Sequence, residues 1–198
     1  MENSGLDKDI RKNALYSGLA LGAVMFVLGL VAFYVIIATT SIWVMSLVPM
    51  LLSVIVPVLV AIVMSLDLRK KAGGYWSLKQ ATTGIFIMFI IAYAANTIAR
   101  DMIFVKLVEP EMLQKTENAV INSTTAMMQK SGVEQTAIDS KTNDLRKRFE
   151  EQKNVSVGKT LMGIGTTIIL IFVVALIFAA FLKKEPPLFD TVDTDPTT

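Results

Sequence analysis

The stretch RKKAGGYWSLKQA, residues 69–81, decides how the rest of the chain is arranged. It holds a basic run, two glycines, two aromatic residues and a helix-start signal between long apolar segments. Gly73 and Gly74 suit a reversal of the chain, because glycine has few steric limits on its backbone angles. Ser77 followed by Gln80 is a capping box, which hydrogen-bonds the free amides at a helix start. The stretch is therefore predicted to be a helix-to-helix turn.

Composition indicates that the solvent around this turn is a membrane. The 198 residues are 53% hydrophobic, and their mean hydropathy is +0.56. The core of one soluble domain of this size could not bury so many apolar residues. With no cysteine and no histidine, the sequence lacks the usual ligands of metal sites and the usual catalytic triads. A net charge of +2 is too small to indicate nucleic acid. We therefore expect no cofactor, no metal site, no catalytic residue and no nucleic-acid partner.

Four apolar stretches are long enough to cross a bilayer core about 30 Å thick, which needs roughly 20 helical residues. We number them as segments one to four, at 14–38, 42–66, 78–107 and 157–182. Segment one is longer than the ~7–15 apolar residues of a signal peptide, so we expect it to be retained. The chain is predicted to be an all-α integral membrane protein with four transmembrane helices. Tyr75 and Trp76, just before segment three, are predicted to be interfacial anchors.

Basic residues fall in clusters beside these segments. They are Lys8, Arg11 and Lys12 before segment one; Arg69, Lys70, Lys71 and Lys79 between segments two and three; and Lys183 and Lys184 after segment four. Because cytoplasmic loops retain Lys and Arg, this pattern predicts that both termini are cytoplasmic. The predicted regions are a cytoplasmic N-terminal segment at 1–13 and transmembrane helices one to three at 14–107, with a basic cytoplasmic turn at 67–77. The tail at 183–198 is predicted to be cytoplasmic and disordered.

The polar stretch at 108–156 is then extracytoplasmic. Pro110 suits the first position of a helix, and Gly132 suits the end of one. A second helical pattern follows, with Ile138, Leu145 and Phe149 on one face. We predict an extracytoplasmic helical hairpin between transmembrane helices three and four. Both a binding module and a solvated connection agree with this pattern.

Small residues mark candidate helix-packing faces, because helices in lipid associate where their backbones come close. Gly18 and Gly22 are four apart in segment one, as are Ala175 and Ala179 in segment four, where Gly163 lies near the start. These residues are predicted to pack inside a four-helix bundle. A dimer seam is the alternative.

Two prolines in segment two, Pro49 and Pro57, each remove a backbone hydrogen bond, so we predict kinks in that helix. Broken helices line substrate paths in some transporters. The sequence shows no matching break in segments three and four, which argues against a transporter.

A polar cluster near the outer end of segment three consists of Asn96, Arg100 and Asp101. Asn96 and Arg100 share a helix face, and charges within a membrane often bind a ligand or a partner. However, Arg100 lies about 33 Å along the helix from Leu78, at the far interface. An anionic ligand at Arg100 and a simple interfacial pair with Asp101 are both open.

The basic turn offers a second candidate site, for an anionic lipid head group. A helix start attracts phosphate, particularly beside several cations. The residues predicted to form this site are Arg69, Lys70, Lys71, Ser77 and Lys79.

Three short motifs carry a resemblance: GGYWSLKQA at 73–81, LVEPEML at 107–113 and FLKKEPP at 181–187. With the four apolar segments and the helical insert, they resemble an uncharacterised four-helix inner-membrane family, a domain of unknown function common in Bacteroidota. The resemblance implies a multi-pass protein of the bacterial inner membrane. It carries over no catalytic residue, and it implies a connection with lipid-linked glycan chemistry.

We therefore predict a non-enzymatic accessory or scaffold subunit of the bacterial cell envelope. Its partners would be membrane lipids and either another membrane protein or a second copy of itself. A small transporter or flippase for an anionic or lipid-linked substrate is the alternative. An enzyme that uses Asp101, Glu109 and Glu111 is the third possibility, but Glu109 and Glu111 flank Pro110, where helix capping explains them.

Overall fold

A computed structural model describes residues 2–154 and 156–185, and every regular element in that part of the chain is helical. The α-helices are α1 (Glu2–Ala38), α2 (Ile42–Met50), α3 (Val56–Lys71), α4 (Leu78–Thr97), α5 (Met112–Lys130), α6 (Gln135–Lys153) and α7 (Val157–Leu182). Two π-helical segments, Leu51–Ile55 and Ile98–Val108, join α2 to α3 and extend α4. The predicted all-α fold class is confirmed.

Within the described residues, four helices are long and apolar enough to cross a membrane, as predicted. They cover Asp7–Ala38, Ile42–Lys71, Leu78–Val108 and Gly158–Leu182. We call the second, from α2 through α3, helix two, and the third, from α4 through its π-helical extension, helix three. The first two spans run beyond the apolar stretches, to Asp7 and to Lys71, because the helix continues without a break into polar residues.

In the part that the structure describes, the predicted N-terminal segment at 1–13 continues directly into the first membrane helix. Helix α1 begins at Glu2 and continues without interruption to Ala38. Ile10 and Ala14 are both buried in the core. The reason is that the polar residues around Ile10 lie on one side of a helix whose other side packs against α4.

The core lies between α1 and α4, which pack along much of their length. Helix α3 packs mainly against α1, and α7 mainly against α4, while α3 and α7 touch only slightly. The bundle is therefore open on one side. A groove between α3 and α7 has α1 and α4 as its floor.

The turn between helix two and helix three agrees with the prediction from its sequence. Gly73 and Gly74 have positive φ angles of 91° and 84°, which side chains rarely adopt. The Gln80 backbone N–H donates to Ser77 Oγ at 3.3 Å, and the Ser77 backbone N–H donates to Gln80 Oε1 at 3.1 Å. The capping box is thus complete, and it fixes where α4 begins.

The prediction that Trp76 is an interfacial anchor is wrong. Its side chain is only 1% exposed and belongs to the core. The indole Nε1 donates to the Leu182 carbonyl oxygen at 3.0 Å, and the Trp76 backbone N–H donates to the Lys184 carbonyl oxygen at 2.9 Å. The C-terminal end of α7 supplies carbonyls that need donors, so it holds the indole inside the protein. Tyr75 stays partly exposed, with Lys184 Nζ 5.1 Å from its ring centre.

The tail was predicted to be disordered from residue 183. Its first residues are instead ordered, because Lys184 forms an antiparallel bridge with Trp76. The remainder of that prediction concerns residues 186–198, which lie outside the described residues.

The polar insert contains α5 and α6, which pack against each other on either side of a turn at Gly132, with φ of 70°. Lys153 in α6 pairs with Glu117 in α5 at 3.0 Å. Pro110 does not occupy the first helical position as predicted; it lies in a turn before α5, where the Met112 N–H donates to the Glu109 carbonyl oxygen at 3.0 Å. The side of the membrane on which this insert lies stays a prediction.

Candidate functional site

Helix two accommodates its two prolines by a change of hydrogen-bond register. The π-helical segment Leu51–Ile55 lies between Pro49 and Pro57, and the Val56 N–H donates to the Leu51 carbonyl oxygen, five residues back. In an α-helix, each backbone N–H pairs with the carbonyl four residues back, and Pro57 has no N–H to make this bond. The wider π-helical turn accommodates the missing bond. The predicted disturbance is therefore local, and the helix continues through it.

Helix three has a π-helical segment of its own, Ile98–Val108, within one continuous span. The Glu109 N–H donates to the Phe104 carbonyl oxygen at 2.8 Å, again five residues back. Phe104 is 3% exposed, and its ring packs edge-to-face against Phe26, Phe33 and Tyr34. This aromatic packing holds the wide helix in place. Because no proline marks this segment, it could not be predicted from the sequence.

The two π-helical segments border the same groove. This outer groove has a volume of about 290 Å³ and lies toward the end of the bundle that carries the insert. Its polar or turn-forming lining residues are Pro49, Ser53, Pro57, Asn96, Arg100 and Thr116. The structure thus brings the predicted kink residues together with Asn96 and Arg100, which sequence reasoning had treated as separate features.

Asp101 belongs to the predicted polar cluster but does not line the outer groove. It pairs with Arg100 through a single contact of 3.5 Å, between Arg100 Nε and Asp101 Oδ1. Both side chains are more than half exposed, at 59% and 57%. A pair of this kind is weak, so it does not occupy the guanidinium fully.

A second groove, the inner groove, continues from the first toward the middle of the bundle. It has a volume of about 330 Å³ and is the opening between α3 and α7. The two grooves share Met25, Ser53 and Pro57 as lining residues. Apart from Ser53, Tyr93 and Thr167, the inner groove is lined by apolar side chains.

The residues predicted to bind an anionic lipid at the basic turn do not form one site. Arg69 Nη1 donates to the Leu182 carbonyl oxygen at 3.2 Å, and Lys71 pairs with Asp67 at 2.7 Å. Ser77 caps α4, while Lys70 is exposed.

Lys79 and Ser77 instead line a cavity of about 470 Å³ between α1 and α4, together with Arg11 and Asp7. Gln80 Nε2 donates to Asp7 Oδ1 at 3.4 Å across this cavity. Sequence reasoning missed Arg11 as a neighbour of Lys79, because the two belong to helices distant in sequence.

Gly18 and Gly22 lie against α4. A Cβ atom on Gly18 would be 2.7 Å from Ile91 Cβ, and one on Gly22 would be 2.8 Å from the Ala92 carbonyl oxygen. Ala175 and Ala179 are fully buried in the same core cluster. Gly18 and Gly22 therefore pack against α4 inside the chain, which leaves no room for a second chain at these positions.

Gly163 is the exception among the small residues. It has no atom within 4 Å of where a Cβ would lie, so its predicted contact inside the bundle is wrong for the described residues. All residues from 158 to 166 are exposed, so this half of α7 makes few contacts within the chain.

Two acidic residues near the outer groove, Glu109 and Asp101, are paired. Glu109 accepts a hydrogen bond from Lys115 at 2.8 Å, and this bond is the main reason that the pKa of Lys115 is raised above its ordinary value. Asp101 pairs with Arg100. Among the described residues there is no cluster of three carboxylates suited to a metal ion.

Comparison with known proteins identifies a family but no characterised relative. Neither the curated proteins nor the solved structures gave a match. The family model described as "Protein of unknown function (DUF4199)" matches residues 12–184, which is most of the chain. This match confirms the resemblance to an uncharacterised family, and we conclude that the chain is a multi-pass membrane protein that belongs to the DUF4199 family.

Proposed function

We propose that this protein is a non-enzymatic accessory or scaffold subunit of the bacterial cell envelope, and that it works by packing against a second membrane protein. The observation that supports this function is the outer half of α7. Every residue from 158 to 166 is exposed, although this part of the helix belongs to a membrane span. A span that makes so few contacts within its own chain offers a free surface in the membrane.

The chemistry of this surface suits another helix. Gly158, Gly163 and Gly165 have no atom within 4 Å of where a Cβ would lie. Leu161 and Met162, between them, are largely exposed. Small residues let two helix backbones approach closely, and flanking apolar side chains then pack around the contact.

Localisation in the bacterial inner membrane, with both termini in the cytoplasm, is part of this proposal. It is supported by the position of the basic clusters at one end of the bundle: Arg11 and Lys79 line one cavity, and Arg69 contacts the end of α7. The basic end would face the cytoplasm because Lys and Arg are retained there. The insert would then be extracytoplasmic.

Anionic lipid head groups are proposed as partners of the basic end. Lys70 and Lys79 have exposed side chains at the membrane-facing turn. Each basic residue near an anionic membrane surface contributes about 1 kcal/mol of attraction, so the turn would hold the protein against such lipids without a specific site.

The partner surface is tested by placing a tryptophan at Gly163. The tagged full-length protein is purified in native lipid particles, and co-purifying membrane proteins are quantified by mass spectrometry. We expect wild type to retain one membrane protein, or a second copy, in near-equal amount. Gly163→Trp should lower that amount roughly tenfold, since overpacking a tight contact costs on the order of 1–3 kcal/mol.

Val63→Trp is the matched control, because Val63 is also exposed on a membrane span, at 65%, but lies on helix two. It should retain the partner. Wild type that purifies alone, or an identical yield of partner with Gly163→Trp, would show that α7 is not a docking surface.

A small transporter or flippase for an anionic or lipid-linked substrate is the second candidate. The second π-helical segment favours it, because π-helical turns are frequent at functional sites and here two of them border one groove. In the same purification, a chain that comes out alone and enriched in one solute or lipid would favour this function over the accessory role.

A further inference from the structure

One face of helix three changes from apolar to cationic along its length. Phe89 and Tyr93 line the inner groove, and Asn96, Arg100 and Phe104 line the outer groove. Their spacing of three or four residues places them in a continuous row. Because the two grooves share lining residues, this row is the floor of a single continuous groove.

The cationic end of this groove has unused hydrogen-bonding capacity. Arg100 contacts Asp101 only through Nε. Among residues 2–154 and 156–185, nothing accepts a hydrogen bond from either of its terminal amino groups, Nη1 and Nη2. Asn96, one helical turn away, also faces the groove. Planar guanidinium donors match the geometry of a phosphate, and a charged acceptor makes these bonds stronger.

The length of the groove fits one leaflet of a bilayer. From Phe89 to Arg100 the helix rises about 16 Å, close to half of a hydrocarbon core about 30 Å thick. Arg100 lies about 33 Å from Leu78, which is at the basic end, so it falls near the opposite interface. The apolar part therefore reaches from the middle of the membrane to the depth of a head group.

We propose that this continuous groove binds one anionic glycerophospholipid from the leaflet opposite the basic end. Its phosphate is held by Arg100 and Asn96, and one acyl chain lies over Tyr93 and Phe89 between α3 and α7. A phospholipid suits this groove because its phosphate lies at the interface, at the depth of Arg100, and its acyl chains lie in the hydrocarbon core, along the apolar part of the groove. The lipid carries its negative charge at that depth already. This inference does not depend on the accessory function.

The test uses the purified full-length protein in lipid nanodiscs of phosphatidylcholine with a small fraction of phosphatidylglycerol. Native mass spectrometry then measures which lipid stays bound. We expect wild type to retain phosphatidylglycerol in preference to phosphatidylcholine. Arg100→Gln should weaken this retention roughly tenfold or more, because a charged hydrogen-bond pair is lost. Ser53→Phe should do the same by filling the point where the two grooves meet.

Two matched controls carry the same changes away from the groove. Lys106→Gln removes a cation from the same π-helical segment, and Ser46→Phe adds a ring at an exposed position of α2. Both should bind lipid like wild type. Arg100 and Ser53 are exposed, so we expect the melting temperature of each variant to match that of wild type.

Each unexpected result would overturn a stated part of the proposal. Normal retention by Arg100→Gln would rule out phosphate binding at the guanidinium. Normal retention by Ser53→Phe would rule out an acyl chain in the groove. Equal retention of phosphatidylcholine and phosphatidylglycerol would rule out recognition of an anionic head group, and preferential capture of added polyprenyl phosphate would replace the glycerophospholipid as the occupant.

Discussion

Replacing both Gly18 and Gly22 with leucine should abolish the native packing of α1 against α4. Even a Cβ atom at these positions would come within 2.7 Å and 2.8 Å of α4. Two of the contacted atoms are the backbone carbonyl oxygens of Met88 and Ala92, which cannot move aside as a side chain can. Overpacking of this kind costs roughly 1–3 kcal/mol at each site, and the two sites press on the same helix. The α1–α4 pair holds most of the core, so the whole bundle should be lost.

Size-exclusion chromatography and thermal unfolding in detergent would measure this effect. Gly29→Leu is the matched control, because Gly29 is on the same helix and has no atom within 4 Å of where a Cβ would lie. It should elute and melt like wild type. A double variant at Gly18 and Gly22 that behaves like Gly29→Leu would mean that α1 and α4 are not packed as described.

Trp76→Ala is expected to lower the free energy of unfolding by about 3–5 kcal/mol, the usual cost of removing a large buried aromatic side chain. The indole fills the core where the turn, α4 and the end of α7 meet. It also donates to the Leu182 carbonyl oxygen, so its loss would loosen the C-terminal end of α7. Melting temperature would report the first effect, and proteolysis near Lys183 the second.

Two further substitutions separate the contributions of Trp76. Trp76→Phe keeps an aromatic ring but removes the Nε1 donor, and Arg69 still donates to the same Leu182 oxygen. Its cost should therefore be smaller, though packing is also reduced. Tyr75→Ala changes the neighbouring, partly exposed ring and should have little effect. A loss of stability in Trp76→Ala no larger than that in Tyr75→Ala would contradict the buried position of the indole.

Much of the fold could be predicted because its main signals, which are apolar stretches, helix caps and glycine turns, each lie within a short piece of sequence. Each span is a single apolar stretch, and the capping box at Ser77 is a local signal. Gly73 and Gly74 likewise adopt the positive φ angles that a turn of glycines suggests. These features depend on a few neighbouring residues, so no knowledge of tertiary contacts was needed.

Features that depend on distant residues could not be predicted in this way. The burial of Trp76 depends on the end of α7, about a hundred residues later in the chain. The π-helical segment at Ile98–Val108 depends on the aromatic packing of Phe104 against α1. For the same reason, Gly163 in the unpacked half of α7 could not be told apart from Gly18 in the core.

The candidate site was predicted only in pieces. Asn96 and Arg100 were expected to share a face because they are four residues apart, and both line the outer groove. Their proximity to Pro49 and Pro57 follows from the packing of helix two and helix three against α1. That packing is a property of the whole bundle.

The most direct test of the account is the membrane topology, since every proposed surface depends on it. The chain has no cysteine, so single cysteines can be introduced without further changes. Lys70→Cys marks the basic turn, and Ser131→Cys marks the insert between α5 and α6; both positions are exposed. A membrane-impermeant thiol reagent is applied to cells whose inner membrane is intact and accessible from outside. We predict labelling of Ser131→Cys at once and of Lys70→Cys only after the membrane is opened. Labelling of both positions in intact cells would contradict a helix three that spans the membrane, and labelling of Lys70→Cys alone would contradict the proposed orientation.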